Sequence, residues 1–226
     1  MKKYGRDRAW PFAEGGGPTI LLVTAFLGLT LIGRLLWSGW FSALLFVVAL
    51  FLWLLILYFF RDPHRPPPEP NVIVSPADGR VVAMVEEFEG RFLRQRVLRL
   101  SIFLAVTNVH VQRAPVSGRV ALIEHRPGRF LQAFRPEASE VNEQLSMVVE
   151  SPVGRILVKQ VAGILARRCV NYARVGDELA AGQRYGLIRF GSRVDLFLPP
   201  TVQVLVSVGD EVYGGLTPLA KMRNDE

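Results

Sequence analysis

The chain has 226 residues and a formal net charge of +7, and half of its residues are hydrophobic. Its one cysteine excludes an intrachain disulfide and a cysteine-based metal cluster, and three histidines (His64, His110, His125) without zinc-ligand spacing support no metal site. The positive balance points to an acidic partner, or to a solvated basic surface. Because the basic residues are scattered through strand-like runs, anionic lipid is favoured over nucleic acid.

Residues 1–17 are polar and basic, with Lys2, Lys3, Arg6 and Arg8. Residues 18–60 hold two apolar stretches, 18–37 broken only by Arg34, and 40–60 without a charge. About 20 helical residues cross a bilayer core of roughly 30 Å, so each stretch is long enough to span. Ser38 and Gly39 alone separate them, which predicts a tight helical hairpin with both ends on one side. Basic residues flank those ends, and Arg61, His64 and Arg65 follow the second helix. Positive flanks mark the cytoplasmic side, so the main domain is expected in the cytoplasm on the cell (inner) membrane. A hairpin lying within one leaflet remains the alternative. A cleaved signal peptide fits poorly, because the apolar region is long and doubled.

Residues 61–70, RDPHRPPPEP, form a stiff proline-rich linker and mark the domain boundary. From residue 71 to 226 the pattern is β-rich: short Val/Ile/Leu runs bounded by Gly and Pro turns, with no long amphipathic helix. Residues 166–175 read as a strand or a short helix. Two internal echoes appear. SPADGRVV (75–82) resembles APVSGRVA (114–121), and RVGDELAAGQRYGLI (174–188) resembles SVGDEVYGGLTPLA (207–220). Such Gly-Asp hairpins are similar to those of lipoyl and biotinyl domains. The expected fold class is α+β, mostly β: a barrel-sandwich-like, hairpin-rich domain attached to an N-terminal transmembrane helical hairpin.

The segment YGLIRFGSRVDLFLP (185–199) places Gly191 and Ser192 between two strand-like runs. Taken alone, a Gly-Ser pair is an ordinary β-turn, His110 in TNVHVQRAP a satisfied core histidine, and Asp78 in SPADGRV a turn aspartate before glycine. Together, the FGSRVD segment, the preceding AGILARRCVNYARVGDELAAGQRYGLI, SPADGRV and LAVTNVHVQRAP resemble the short, pyruvoyl-dependent bacterial and archaeal members of the phosphatidylserine decarboxylase family. The resemblance covers nearly the whole chain from about residue 60.

The resemblance implies a zymogen that cleaves itself between Gly191 and Ser192. The large chain would be 1–191 and the small chain 192–226, and the two would stay together. Ser192 would attack the preceding carbonyl; elimination and hydrolysis would then leave a covalent pyruvoyl group on the new N-terminus. Glycine before the serine admits the nucleophile. A serine hydroxyl needs a base, and the family pattern gives that role to His110, five positions before Pro115, with Asp78 orienting it. Many longer members carry a second histidine where this chain has Arg113, which could instead meet the lipid phosphate or carboxylate. Asn142, beside Glu143, and the pair Arg167 and Arg168 are weaker substrate-contact candidates, each equally explained as loop or solvated edge.

The implied activity is decarboxylation of phosphatidylserine to phosphatidylethanolamine in phospholipid biosynthesis, with the pyruvoyl carbonyl as electron sink and no other cofactor. An archaeal-type ether lipid serine is an alternative substrate. The rival from another class is a membrane-anchored barrel-sandwich adaptor or carrier. A carrier needs a modifiable lysine at a hairpin tip, and neither hairpin holds one. Oligomeric state and strand order stay open.

Overall fold

The computed structural model describes residues 11–66, 68–129, 131, 138–163, 169–188 and 192–222. The chain forms two compact units, residues 9–64 and, for the described part, residues from 65 onward.

In the first unit, α1 (Gly17–Leu36) and α2 (Trp40–Phe59) are each 20 residues long. Both are long and apolar enough to cross a membrane. Leu21, Leu22, Leu35, Leu36, Trp37 and Trp40 stand exposed around them. The two-residue break sets a tight turn. Ser42 Oγ donates to the Trp37 carbonyl at 2.6 Å. Across the pair, Trp53 Nε1 donates to Thr24 Oγ1 at 2.9 Å. At the other end the chain closes on itself: Ala13 N donates to Phe60 O at 2.7 Å, and Asp62 N to Pro11 O at 2.8 Å. Entry and exit of the hairpin are therefore together.

The second unit is mostly β. It runs β1 (Val72–Val74), β2 (Gly79–Glu89), β3 (Gln95–Leu104), β4 (Val111–Arg113) and β5 (Gly118–Arg126). A single helical turn, α3 (Ala138–Val141), precedes β6 (Gln144–Ser151) and β7 (Gly154–Val161). Then come β8 (Cys169–Asn171), β9 (Glu178–Leu179), β10 (Arg184–Ile188) and β11 (Ser192–Leu198). The chain ends with β12 (Val202–Val204), β13 (Glu211–Val212) and β14 (Pro218–Met222). The ambiguous segment 166–175 is thus a strand over Cys169–Asn171, and residues 166–168 lie outside the described part.

An eight-stranded sheet has the order β13-β2-β3-β11-β7-β6-β5-β9, and two three-stranded sheets have the orders β1-β14-β12 and β4-β10-β8. These orders contain a duplication. Strands β4 to β10 repeat the arrangement of β1, β2, β3, β11, β12, β13 and β14, with a pseudo-two-fold axis between β11 and β7. The second copy is inserted into the first, between β3 and β11. The sequence echoes are its visible remnants. Val74 N donates to Pro115 O while Arg113 N donates to Pro76 O, both at 2.9 Å. Val81 N meets Asp210 O and Val120 N meets Asp177 O, again both at 2.9 Å. Gly79 and Gly118 are required for the same reason. A Cβ at either would fall on a carbonyl oxygen of the neighbouring strand, that of Phe103 or that of Glu150.

The core lies on one face of the large sheet. Leu100, Ile102 and Leu104 of β3, Val194, Leu196 and Leu198 of β11, and Ile156 and Val158 of β7 are all buried in it. Their spacing of two is the strand period that the apolar runs carry. Ser192 begins β11 on this same inner face, at the point where the chain leaves the inserted copy and re-enters the first.

Candidate active site

Ser192 is fully buried and sits opposite Leu104 of β3. Its Oγ makes no hydrogen bond to a described residue. Gly191, the residue before it, lies outside the described part, as do Arg167 and Arg168.

Backbone contacts place His110 after the end of β3 and against the end of β10. After Leu104 the chain turns tightly, with Asn108 N donating to Ala105 O at 3.0 Å and Ala105 N to Asn108 Oδ1 at 2.8 Å, and His110 follows. From the other side, Ile188 N donates to His110 O at 3.3 Å, four residues before Ser192. His110 is fully buried. Its Nδ1 lies 2.8 Å from the Asn108 carbonyl oxygen. A carbonyl only accepts, so Nδ1 carries the proton, and in the neutral ring Nε2 carries the lone pair.

Asp78 is paired with the linker residue Arg65. Arg65 Nη1 donates to its Oδ1 at 2.6 Å and Nη2 to its Oδ2 at 2.7 Å, a bidentate fork. Gly214 N also donates to Oδ1, at 2.8 Å, and Arg65 Nη1 reaches the Gly214 carbonyl as well. Both side chains are almost closed to solvent, at 6% and 5% exposure. The group facing the Nδ1 of His110 is thus the Asn108 carbonyl, while Asp78 ties the linker residue Arg65 to the β13–β14 hairpin. Arg80, two residues on, stands opposite Phe103, the neighbour of Leu104. This clamp therefore lies two strands from Ser192, about 10 Å by the ordinary strand spacing.

Arg113 is buried beneath the two duplicated hairpins, with Nη1 donating to Gly182 O at 3.1 Å. Its Cδ packs where a Cβ on Gly215 would stand, at 2.7 Å. Asn142 is buried too. Its Oδ1 accepts from Leu131 N at 2.9 Å, and its Nδ2 donates to Leu131 O at 2.8 Å and Ala162 O at 2.7 Å. Both amide protons are engaged, which makes Asn142 a clamp on its loop. Glu143, next to it, accepts from Cys169 N at 3.3 Å and lies 3.3 Å from His125 Nε2.

Behind Ser192, on the outer face of the large sheet, Arg193 and Asp195 form a buried ion pair at 2.9 Å. Burial lowers the pKa of Arg193, opposed by Asp195. Lys159, opposite Asp195, is likewise held below its ordinary value by burial, opposed by Glu89 and Asp195. Burial also raises the Tyr185 phenol and the Cys169 thiol, so both stay protonated at neutral pH. Arg65, Asn108, Gln112 and Gln160 were not singled out as site residues from sequence. Arg65 reads only as a topology signal, and the others sit at strand ends and core positions that carry no local motif.

A sequence model of the family described as Phosphatidylserine decarboxylase matches residues 52–220, a span containing Asp78, His110 and Ser192. The phosphatidylserine decarboxylase proenzyme of Burkholderia cenocepacia (strain HI2424) is 43% identical over 203 residues, covering 82% of this chain and 94% of that protein. The proenzyme of Carboxydothermus hydrogenoformans is 42% identical over 197 residues, covering 86% of this chain and 90% of its own. That of Burkholderia vietnamiensis is 43% identical over 215 residues, 94% of each. With this agreement along most of its length, the chain belongs to the phosphatidylserine decarboxylase family and is a carboxy-lyase.

Proposed function

We propose that the chain is a precursor that cuts itself between Gly191 and Ser192 and then decarboxylates phosphatidylserine to phosphatidylethanolamine at a membrane surface. The observation that carries this reading is the placement of Ser192. It is a fully buried hydroxyl without a hydrogen bond to any described residue, at the start of a core strand, and His110, equally buried, has its Nδ1 committed to a carbonyl. The names of the relatives supply the substrate and the precursor state.

His110 Nε2 takes the Ser192 proton as Oγ attacks the Gly191 carbonyl carbon. The Gly191–Ser192 amide bond breaks as the ester forms, and the proton goes to the released amine. Loss of the residue-192 α-proton expels the Gly191 carboxylate. Hydrolysis then releases ammonia and leaves a pyruvoyl group on chain 192–226. The site fits such a group, since β11, which would open the small chain, pairs along its length with β3 of the large chain, and core side chains exclude water around residue 192. When present, the pyruvoyl carbonyl takes up the substrate amine and accepts the electron pair left by carbon dioxide. His110 is the residue assigned to return the proton. Asp78, with Arg65 and the Gly214 amide, supports the site by fixing the turn before β2. Arg113, Arg167 and Arg168 are the cations assigned to the lipid phosphate. The helical hairpin anchors the protein with its catalytic unit on the cytoplasmic side of the cell membrane. An ether-linked lipid serine would present the same headgroup.

The test is the intact mass of every chain from the full-length protein and from Ser192→Ala. Expected are two wild-type chains, with the small one carrying pyruvoyl in place of serine, and a single 25.3 kDa Ser192→Ala chain. An intact, folded wild-type chain overturns the reading.

A further inference from the structure

One position interrupts the apolar inner row of β7. Ile156, Val158 and Ala162 all belong to the core, and between them stands Gln160, 1% exposed. Neither its Oε1 nor its Nε2 has a hydrogen-bond partner among the described residues. A buried primary amide without partners forfeits several hydrogen bonds at a cost that native structures rarely accept without a reason.

Its location supplies the reason. Gln160 is directly opposite Val194, and Ser192 is two residues before Val194 on the same face. Gln160 is therefore the diagonal neighbour of Ser192 across the β7–β11 ladder, within reach of a long side chain. Its amide also lies over Gly186 of β10, where a Cβ would stand 2.9 Å from Nε2. Gly186 is opposite Gln112, so Gln112 faces the same space. Gln112 Nε2 donates to His110 O at 3.3 Å, and its Oε1 has no partner among the described residues. Ser192, Gln112 and Gln160 thus converge from three strands, β11, β4 and β7. Arg193, the cation adjacent in sequence, projects from the opposite face of β11, paired with Asp195.

We propose that Gln160 is a specificity-determining residue that binds the carboxylate of the lipid serine headgroup beside residue 192. This rests on the pyruvoyl reading above. The chemistry favours a neutral donor. A decarboxylation disperses the negative charge of the carboxylate as carbon dioxide leaves. A buried cation would stabilise the bound carboxylate more than the transition state and so raise the barrier, whereas an amide orients the group with weaker charge stabilisation. The phosphodiester, whose charge does not change, is the part suited to arginine.

The probes are phosphatidylserine and phosphatidylethanolamine, which share amine and phosphate and differ in the carboxylate. Each lipid is captured on the processed protein with cyanoborohydride, and the adduct on the small chain is weighed. Gln160→Met keeps length and burial. It should self-cleave like the wild type and require about 10- to 100-fold more phosphatidylserine for half-maximal capture, with phosphatidylethanolamine capture unchanged. Gln160→Glu should discriminate against phosphatidylserine further, through like-charge repulsion. Equal weakening towards both lipids, no weakening towards either, or loss of self-cleavage in Gln160→Met overturns the assignment. A wild-type chain that never splits removes the pyruvoyl reading and this inference with it. A wild type that splits and an unselective Gln160→Met remove the inference alone.

Discussion

Arg65→Met removes the charge of a residue that lies just after the helical hairpin and inside the β-rich unit. It leaves Asp78, 5% exposed, with only the Gly214 amide on one of its two oxygens. Breaking a buried, hydrogen-bonded ion pair from one side costs about 3–5 kcal/mol, because the remaining charge stays desolvated. For a unit of this size each kcal/mol lowers the midpoint by about 2–4 °C, so the expected fall is roughly 10 °C. The assay is thermal unfolding of the full chain in detergent, on a Ser192→Ala background so that every sample is a single chain. Asp78→Asn in the same background leaves Arg65 as the orphan and should be similarly costly. The double variant keeps a neutral acceptor for Gly214 and should recover at least about 2 kcal/mol relative to the sum of the singles. Additive effects, or a loss below about 1 kcal/mol for Arg65→Met, would refute the clamp.

Other consequences are as direct. Gly79→Ala and Gly118→Ala each drive a methyl into a strand carbonyl, Phe103 O or Glu150 O, and should cost more than about 2 kcal/mol, read as a lower unfolding midpoint or loss of folded protein. Asn142→Leu should destabilise by about 3 kcal/mol, since it orphans three loop groups; a variant of normal stability with a raised KM would point to substrate contact instead. Cys169 is 7% exposed and burial raises its pKa, so the thiolate is scarcer at any given pH than in a free thiol. Alkylation by iodoacetamide at pH 8 should be slow in the folded chain and fast in urea.

Much of the fold was legible because its signals are local. The two apolar runs with Ser38-Gly39 between them predict the hairpin to within a residue or two at each boundary. Gly-bounded Val/Ile runs predict strands, and the two pairs of echoes mark four turns of the duplicated unit. The duplication itself was not legible as a whole. Its strands pair across the insertion, β3 with β11 and β1 with β14, and non-local pairing leaves no periodic trace in sequence. At the site, the Gly-Ser pair and the histidine before proline stand in recognisable strings. The Arg65–Asp78 pair joins a linker to a turn, and its fork is a matter of tertiary geometry. Gln160 lies in ILVKQVAG, where strand parity shows which face it is on, but only the neighbouring strands show what that face meets.

The duplication also explains why one of two equivalent turns carries a carboxylate. Asp78 and Ser117 occupy the same position of the two copies, and each accepts a hairpin amide, Gly214 N at 2.8 Å or Ala181 N at 2.9 Å. Either side chain serves that purpose, because an amide at a turn needs only an oxygen. The copies differ in what lies over them: Ser117 is exposed, whereas Asp78 is buried under Arg65. The same exchange should therefore have unequal effects. Ser117→Asp places a solvated carboxylate on an amide and should change stability by less than about 0.5 kcal/mol. Asp78→Ser keeps an oxygen for Gly214 but strands the buried guanidinium, and should cost about 3 kcal/mol or more. Unfolding of both variants on the Ser192→Ala background decides the matter. Equal small effects would mean that Asp78 is merely a turn residue like its counterpart. Equal large effects would mean that the turn geometry, and not the Arg65 pair, discriminates against substitution. The predicted inequality would show that the carboxylate is retained for what it holds, the stiff linker leading back to α2.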